Sequence, residues 1–367
     1  MTRDSKGAPT PHKVPLRRSS RRRANDIPNI RDVARRAGVS AATVSFVLSP
    51  QHRHRIRPKT QDRVLAAVNA LGYSPNVAAR DLAVGRSHIL GVIVSDIRNP
   101  FFPEIIASFQ EAANLKDMEA IVLNTNYDPQ RTRDTVHRLL AFQVPGVAIL
   151  TSQIDPSVVQ TLARRRICAV YLDLGRVDLA VSNIAVDYEH GIHAALEHVR
   201  SFGHTRVGFI GGSPQLPSAQ RRKDAFLAAA QTLGARPTLA VDSDFTVQGG
   251  YLACAKLLAD LAPTAIITAN DLMAIGAMHA AYDRRVRIPT DLSIVGFDDI
   301  RFARHTHPPL TTVAVPRGRI GHLAFEALWT MMAQPTRSGG QFNVPTNLVV
   351  RDSTAPAPKT ADHVVLS

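Results

Sequence analysis

From Ile89 onward the chain alternates short apolar runs with amphipathic segments of helical length, and this alternation constrains the fold more than any other feature. Strands that alternate with helices require a parallel sheet covered on both faces. The region is too long for one small sheet, so we predict two α/β lobes. The predicted strands are residues 89–94, 119–124, 146–150, 168–172, 206–210, 264–268 and 292–297.

The positive charge of the chain is concentrated at its N-terminal end. The formal net charge is +14, and residues 1–88 hold 18 Lys and Arg against 5 Asp and Glu, a net charge of +13. The remaining residues therefore carry only +1. A strongly basic segment attached to a region of nearly zero net charge predicts an acidic partner. Nucleic acid is the first candidate and an anionic membrane surface is the second.

The composition is that of a folded protein of two or three domains. A length of 367 residues excludes a peptide hormone or a disulfide-rich mini-protein, and the fractions of 45% hydrophobic and 20% charged residues are typical of a folded protein. The only two cysteines, Cys168 and Cys254, favour a reducing compartment. No apolar run approaches the roughly 18 to 20 residues that cross a bilayer, and Arg17 and Arg18 precede more arginine rather than an apolar stretch. We therefore expect a cytoplasmic protein without a membrane partner.

Three short helical patterns follow a basic arm at residues 1–26, which we predict to be disordered. The first pattern ends at Gly38, Ser40 offers an N-cap for the second, and a third covers residues 60–71. Residues 72–88 hold too few apolar side chains to fold alone, so we predict a linker helix that forms only when packed. The tail from Ser353 is predicted to be loose, and it lacks leucine heptads.

Several stretches closely resemble the LacI family of bacterial transcriptional regulators. They include IRDVARRAGVSAATVSFVLS near the N-terminus, ILGVIVSDIRNPFF, GHTRVGFIGG, TANDLMAIGAM and IPTDLSIVGFDDI, and they cover residues 29 to about 352 in order. The resemblance implies an N-terminal all-α helix-turn-helix domain with a hinge helix, followed by a two-lobed α/β core similar to periplasmic sugar-binding proteins. The implied divisions are the arm (1–26), the helix-turn-helix (27–73), the hinge (74–88), lobe 1 (89–187 and 316–342), lobe 2 (188–315 and 343–352) and the tail (353–367).

On this resemblance residues 40–48 form the recognition helix, which enters the DNA major groove. Ala41, Ala42 and Phe46 are expected to contact bases, whereas Ser40, Thr43 and Ser45 are expected to lie near the DNA backbone or adjacent bases. Many family members have arginine at the position of Phe46. Because a phenyl ring donates no hydrogen bond, we expect apolar contact with thymine methyl groups.

Two further segments are predicted to contact DNA. The hinge resemblance places Leu82 as a wedge in the minor groove, with Asn76 and Arg80 assisting, and it implies a dimer on a pseudo-palindromic operator. A core leucine is the alternative for Leu82. Residues 50–60 form a basic loop that either contacts phosphates or is simply solvated; its basic residues are Arg53, Arg55, Arg57 and Lys59.

The effector site is predicted at the carboxyl ends of the strands, where open α/β sheets bind ligands. Asp173, Asn270 and Asp298 follow predicted strands, and neighbouring Asp271 is expected to be a helix cap. The resemblance adds Arg222 as a ligand-clasping arginine and Phe102 and Phe245 as aromatic flanks. Of the residues beside these, Arg221 is expected to be solvated, and Phe101 is expected either in the core or beside the ligand. Ala225 is a minor departure from a family glycine.

The sequence thus predicts a transcriptional repressor that binds double-stranded DNA as a homodimer and responds to a small-molecule effector. A sugar or sugar derivative is favoured, and purines or nucleosides remain open. The alternative is an α/β enzyme or soluble binding module without specific DNA activity. GFIGGS at 208–213 is not a complete dinucleotide fingerprint, so no cofactor is predicted. No metal is predicted either, because no cysteine or carboxylate completes a site with His190, His193, His198 and His204.

Overall fold

The computed structural model describes residues 28–49, 52–74, 87–151, 154–174, 181–235, 238–334 and 339–359. The predicted arm at 1–26 and the hinge residues Asn76, Arg80 and Leu82 lie outside the described residues. The chain divides into two compact units, residues 1–83 and 84–367. Within the described residues, no helix has both the length and the apolar character that a bilayer crossing requires.

The first unit holds three helices, α1 (Ile30–Ala37), α2 (Ala41–Leu48) and α3 (Pro58–Leu71). Asn29 begins α1 with a capping box, and Gly38 ends it in the left-handed conformation at φ 65°, which glycine adopts without steric cost. The predicted cap of α2 is confirmed, since Ser40 Oγ accepts from Thr43 N at 3.1 Å. Helix α3 begins two residues before its prediction because Pro58 suits the first helical turn.

A small apolar core joins these three helices. Val33 on α1, Val44 and Val47 on α2, and Val64 on α3 are buried together. Arg63 on α3 donates through Nε to the carbonyl oxygen of Ala37 at 3.1 Å, which places a positive charge at the C-terminal end of α1. The inner face of α2 is therefore fixed against its neighbours, and its outer face is left to solvent.

The second unit contains two six-stranded sheets. The first has the order β11-β5-β4-β3-β1-β2 and every pairing in it is parallel. Its strands are β1 (Ile89–Val94), β2 (Glu119–Asn124), β3 (Gly146–Leu150), β4 (Cys168–Leu172), β5 (Val181–Val186) and β11 (Gln341–Val344). The helices of this lobe are α4 (Phe101–Asn114), α5 (Pro129–Ala141), α6 (Pro156–Arg164) and α11 (Arg317–Ala333).

The second sheet has the order β12-β10-β9-β8-β6-β7, and only the pairing of β12 with β10 is antiparallel. Its strands are β6 (Val207–Ile210), β7 (Thr238–Val241), β8 (Ala265–Thr268), β9 (Ser293–Asp298), β10 (Thr311–Ala314) and β12 (Asn347–Val349). The helices of this lobe are α7 (Tyr188–Ser201), α8 (Pro217–Thr232), α9 (Val247–Asp260) and α10 (Asp271–Asp283). The chain crosses between the sheets three times, after β5, β10 and β11.

This two-sheet architecture confirms the predicted fold class. All seven predicted strands are present within one residue of their expected bounds. The sequence missed β5, β7, β10, β11 and β12. Strand β5 was not predicted because buried Ser182 and Asn183 interrupt its apolar run. Strands β7, β11 and β12 lie at sheet edges, where burial is incomplete and the apolar pattern is weak.

The segment after β12 differs from the predicted loose tail. Ser353 is fully buried, its Oγ donates to the carbonyl oxygen of Ile294 at 2.6 Å, and its own carbonyl oxygen accepts from Ile294 N at 2.9 Å. Ala357 N donates to the carbonyl oxygen of Phe202 at 2.8 Å. Residues 353–357 are therefore bound to the second lobe, because backbone groups buried beside a sheet need hydrogen-bond partners.

Candidate functional site

The outer face of helix α2 carries Ala42 and Phe46, two of the three residues predicted to read bases, whereas the third, Ala41, is half-buried against the three-helix core. Ala42, Ser45 and Phe46 are exposed, whereas Val44 and Val47 point into the core. The hydroxyl groups of Ser40 and Thr43 lie 2.9 Å apart at the start of the helix, so they also cap it. Phe46 is unusual because 42% of a large apolar residue is exposed on a small, otherwise polar face.

The basic loop after α2 is ordered where the structure describes it. Residues Arg53–Arg55 form a short 3-10 helix, and Arg53 Nε donates to Gln61 Oε1 at 3.0 Å. Arg55, Arg57 and Lys59 are exposed. The loop therefore presents three positively charged side chains to solvent near the C-terminal end of α2.

In the second unit, a cavity lies between the carboxyl ends of the two sheets. All six residues predicted for the effector site line it, namely Phe102, Asp173, Arg222, Phe245, Asn270 and Asp298. Its volume is about 50 Å³. A cavity of about 150 Å³ is needed to hold a ligand of benzene size, so this one has room for a few water molecules only.

Arg222 occupies the centre of this cavity. Its guanidinium carbon lies 4.3 Å from the ring centroid of Tyr188, 4.8 Å from that of Phe297 and 5.7 Å from that of Phe245. Nη2 lies 3.7 Å from Asp298 Oδ1, beyond good hydrogen-bond length, and Nε has no hydrogen-bond partner. The aromatic rings thus stabilise the buried cation only in part.

Asp298 ends strand β9 and is also incompletely satisfied. Its Oδ1 is buried without a hydrogen-bond partner. Burial raises the pKa of this carboxyl to about 6, although the positive charges of Arg222 and Arg317 oppose the shift. The backbone at Asp298 has φ 108°, a strained conformation for an L-residue, and its carbonyl oxygen accepts from Arg317 Nη1.

Asp173, by contrast, is fully engaged within the protein. Its carboxylate accepts from Val186 N at 3.0 Å and from the hydroxyl group of Tyr188 at 2.6 Å. Burial raises its pKa, and these hydrogen bonds together with Arg221 oppose that shift. The interpretation of Arg221 as solvated is wrong, because Arg221 Nη2 donates to the carbonyl oxygen of Asp173 at 2.7 Å, from α8 of one lobe to the other lobe.

Asn270 lines the cavity as predicted, but it also takes the capping role that was predicted for Asp271. Asn270 is the cap of α10: its Oδ1 accepts from Met273 N at 2.9 Å, and its Nδ2 donates to the carbonyl oxygen of Phe245 at 3.1 Å. The prediction that Asp271 is a cap is wrong. Its carboxylate accepts from Ile300 N at 2.7 Å and from the hydroxyl group of Thr312 at 2.5 Å, which anchors the loop after β9.

The aromatic walls of the cavity are held closely. Phe102 and neighbouring Phe101 are buried with their rings edge to face at 5.2 Å, and both line the cavity. Phe245 has φ 65°, and its ring packs so tightly on Gly212 that a Cβ there would lie 2.1 Å from the ring. The second glycine of GFIGGS, Gly212, therefore makes room for an aromatic ring.

Sequence reasoning missed two tyrosines that complete these walls. Tyr188 begins α7 directly after the unrecognised strand β5, so identification of that strand would have placed it at a strand end. Tyr127 lies in the turn after β2 with φ 58°, and burial raises its pKa to about 12. Neither the turn nor the left-handed backbone has a clear signal in the sequence.

The histidines considered as metal ligands are distributed among structural contacts. His204 is buried, with Nδ1 3.0 Å from Thr264 Oγ1 and Nε2 2.9 Å from the carbonyl oxygen of Ala355. His198 Nε2 lies 2.9 Å from Thr354 Oγ1. In the described part of the chain, no three His, Cys, Asp or Glu residues are grouped as a metal site would require.

Comparison with known sequences gives two matches along the chain. Residues 29–76 match the profile of bacterial regulatory proteins of the lacI family, and residues 196–354 match that of a periplasmic binding protein-like domain. The chain is 32% identical over 332 residues to the HTH-type transcriptional regulator DegA of Bacillus subtilis (strain 168) and 31% identical over 329 residues to catabolite control protein A of Priestia megaterium. Each alignment covers 89% of this chain and 98% of the relative.

Solved structures of similar fold cover nearly the whole chain. The lac repressor dimer bound to operator and the anti-inducer ONPF matches with a TM-score of 0.79 and 28% identity, over 90% of this chain and 100% of that chain. The complex of the transcriptional regulator CelR with cellobiose matches with a TM-score of 0.68 and 26% identity, over 89% and 99% of the two chains.

Proposed function

This chain belongs to the LacI family of bacterial regulatory proteins, and from that membership we propose that it is a repressor controlled by a small molecule in the interlobe cavity. It is a DNA-binding transcriptional regulator with a ligand-binding core. The proposal concerns which residues bind the effector, which residues read DNA, and how one event changes the other.

One observation carries the effector half of the proposal: Asp298 Oδ1 and Arg222 Nε are buried in the cavity without hydrogen-bond partners. An unpaired buried polar atom is costly, and a ligand that pairs both atoms removes that cost. A hydroxyl group does so because it donates to the carboxylate and accepts from the guanidinium. A polyhydroxylated ligand is therefore the best chemical match.

The other predicted residues take supporting roles. Phe102 and Phe245 supply apolar faces on which a sugar ring or another flat ring packs. Asp173 and Asn270 have their polar atoms engaged within the protein, so they hold the edges of the cavity. The bound cellobiose of the similar regulator CelR supports a sugar-like effector.

The size of the cavity implies a mechanism. A ligand pocket usually has about 300 to 1,000 Å³, whereas this cavity has about 50 Å³. The lobes must therefore separate before an effector enters. The extent to which they then close around the bound effector differs from their closure without it. That difference is transmitted along the chain to the segment at 74–88 and changes operator affinity, typically by about 1 to 3 kcal/mol of coupling.

The DNA half of the proposal uses the outer face of α2 together with the hinge. Ala41, Ala42 and Phe46 contact bases, Ser40, Thr43 and Ser45 contact the backbone or adjacent bases, and the hinge adds Asn76, Arg80 and Leu82. The basic arm at 1–26 supplies affinity that is independent of DNA sequence. The lac repressor dimer bound to operator supports a dimer on a pseudo-palindromic site.

We place this activity in the cytoplasm, and we propose neither an enzymatic step nor a cofactor. The same assignment divides the chain into the arm (1–26), the helix-turn-helix (27–73), the hinge (74–88) and the two lobes. On this division, lobe 1 comprises residues 89–187 and 316–342 and lobe 2 residues 188–315 and 343–352. Residues 353–357 join lobe 2 through the hydrogen bonds described above.

The test begins with selection of an operator from random double-stranded DNA by the full chain. A thermal-shift screen against ribose, glucose, cellobiose, purines and nucleosides then identifies ligands, and each is added to an operator-binding assay. We expect a sugar to stabilise the protein and to change operator affinity without being consumed. Asp298→Asn and Arg222→Met should abolish that stabilisation, whereas exposed Arg287→Met should retain it. A sugar that stabilises all four proteins equally would contradict the site, and failure to select any DNA sequence would contradict the regulator.

A further inference from the structure

The ring of Phe46 is stacked on a second ring from the loop that follows α2. The ring centroids of Phe46 and His52 lie 5.5 Å apart and their planes differ by 13°. This separation is within the range in which paired aromatic rings attract each other. The large apolar side chain on the outer face of α2 is therefore one half of a two-ring plate.

His52 is itself held in place by Ser49. The backbone N–H of His52 donates to the carbonyl oxygen of Ser49 at 3.1 Å, and the ring atom Nδ1 lies 3.2 Å from Ser49 Oγ. Ser49 is in turn fixed as the residue that ends α2. The stack is thus preorganised, so contact with a partner costs less side-chain entropy than it would for a free phenyl ring.

We propose that His52 is a specificity-determining residue of the DNA interface, a proposal that rests on the DNA-binding function stated above. In the tautomer in which Nδ1 accepts from the Ser49 hydroxyl group, the ring proton is on Nε2. Among the described residues, Nε2 of His52 has no hydrogen-bond partner. The two-ring plate therefore combines an apolar face from Phe46 with a hydrogen-bond donor from His52.

This combination matches a particular feature of the major groove. A thymine presents a methyl group there, and a neighbouring purine presents N7 as an acceptor. Phe46 contacts the methyl group, and His52 donates to the purine N7 on the adjacent base pair. His52 in the loop thus supplies the hydrogen-bond donor that Phe46 on the helix lacks.

The experiment selects binding sites from random DNA with the full-length protein and with its variants. His52→Ala removes both the stack and the donor, His52→Phe keeps a stacking ring without the donor, and Phe46→Ala removes the apolar contact. His54→Ala is the matched control, because it changes the same residue type at an exposed position two residues further along. Helical content is compared by circular dichroism for every protein.

We expect His52→Ala to lose about tenfold in affinity for the selected operator and to lose preference at two adjacent base pairs. His52→Phe should keep the thymine preference and lose only that for the neighbouring purine. Because the rings act together, His52→Ala should weaken binding less in the Phe46→Ala variant than in the unaltered protein. His54→Ala should select the same sequence as the unaltered protein.

Unchanged base preference in both folded His52 variants would overturn the proposal while leaving the DNA-binding function intact. An equal loss in His54→Ala would overturn it as well, because the effect would then be a general property of the loop rather than of His52. If His52→Ala loses helical content, His52→Phe decides alone. Absence of any selected sequence for the unaltered protein would overturn both this proposal and the function on which it rests.

Discussion

Arg221 on helix α8 donates from Nη2 to the backbone carbonyl oxygen of Asp173, 2.7 Å away on the other lobe. Nη1 of the same guanidinium lies 3.6 Å from Asp173 Oδ1. Because Asp173 also accepts from Val186 and Tyr188, one residue joins strand β5, helix α7 and helix α8 at the edge of the cavity. This contact favours the closed arrangement of the lobes.

Replacement of Arg221 by alanine should therefore loosen the closed state. We expect the free energy of unfolding to fall by about 1 kcal/mol, less than the roughly 1.5 to 3 kcal/mol of a buried charged hydrogen bond, because the Arg221 side chain is 41% exposed and solvent screens the contact. Hydrogen exchange of the Val186 amide should accelerate about fivefold. Lys223→Ala is the control, since Lys223 pairs with Asp242 within one lobe at 2.9 Å and its loss should not affect Val186. Equal exchange rates in the two variants would contradict the interlobe role.

Burial of Asp298 makes stability depend on pH. The unfolded chain releases this proton near the ordinary pKa of 3.8, and the folded chain holds it up to a pKa of about 6. The folded state thus binds more protons at Asp298 between these values, so the contribution of this carboxyl to stability is fully present below about pH 4 and is lost as the pH rises through about 6. The free energy of unfolding, measured by urea denaturation, should therefore decline with rising pH by about 2 to 3 kcal/mol less in Asp298→Asn than in the unaltered protein.

The comparison between proteins tests Asp298 together with its charge coupling to Asp271. Burial also raises the pKa of Asp173 and of Asp271, and both residues remain in the variant. The negative charge of Asp298 adds to the raised pKa of Asp271, so the variant also removes that part of the Asp271 shift. Asp224→Asn, at an exposed position of the same lobe, serves as the control. Parallel pH profiles for Asp298→Asn and the unaltered protein would show that this carboxyl does not titrate as described.

Phe46→Arg should change which bases the protein prefers. Arginine at this position of the outer face of α2 can make two hydrogen bonds to a guanine, a contact that discriminates by about 1 to 3 kcal/mol. We expect selection from random DNA to yield guanine where the unaltered protein yields thymine. An unchanged selected sequence would remove Phe46 from the set of base-reading residues.

The basic loop should control the salt dependence of binding. Arg55, Arg57 and Lys59 are exposed, and each phosphate that they neutralise adds about 0.9 to the slope of log K against log salt concentration. Replacement of all three by glutamine should lower that slope by about 2.7 without changing the selected sequence. Arg53 is kept because its side chain also holds Gln61. Lys256→Gln, on the core, is the control, and a slope unchanged from that control would indicate a loop that is merely solvated.

Local signals in the sequence predicted much of the fold. Ser40 and Gly38 mark helix ends through their own chemistry, and the apolar runs of strands such as β1 and β9 identify them without further context. The same reasoning placed Asp298 at a strand end, next to the cavity. In each case the signal lies within a few residues of the feature that it predicts.

Features that depend on distant segments could not be predicted in this way. Arg221 meets Asp173 across 48 positions of sequence, and nothing near either residue indicates the pairing. The stack of Phe46 on His52 depends on the path of the loop between them. Tyr188 was missed because its position follows from strand β5, whose buried polar residues resemble a loop.

The small volume of the interlobe cavity also determines the order of events in time. On the proposed function, an effector enters only during an opening of the lobes, because a cavity of about 50 Å³ has no room for a sugar. The observed association rate should therefore level off at high effector concentration, at the rate of lobe opening. Release waits for the same opening, so a single motion governs how quickly the regulator responds both when its effector appears and when it is withdrawn.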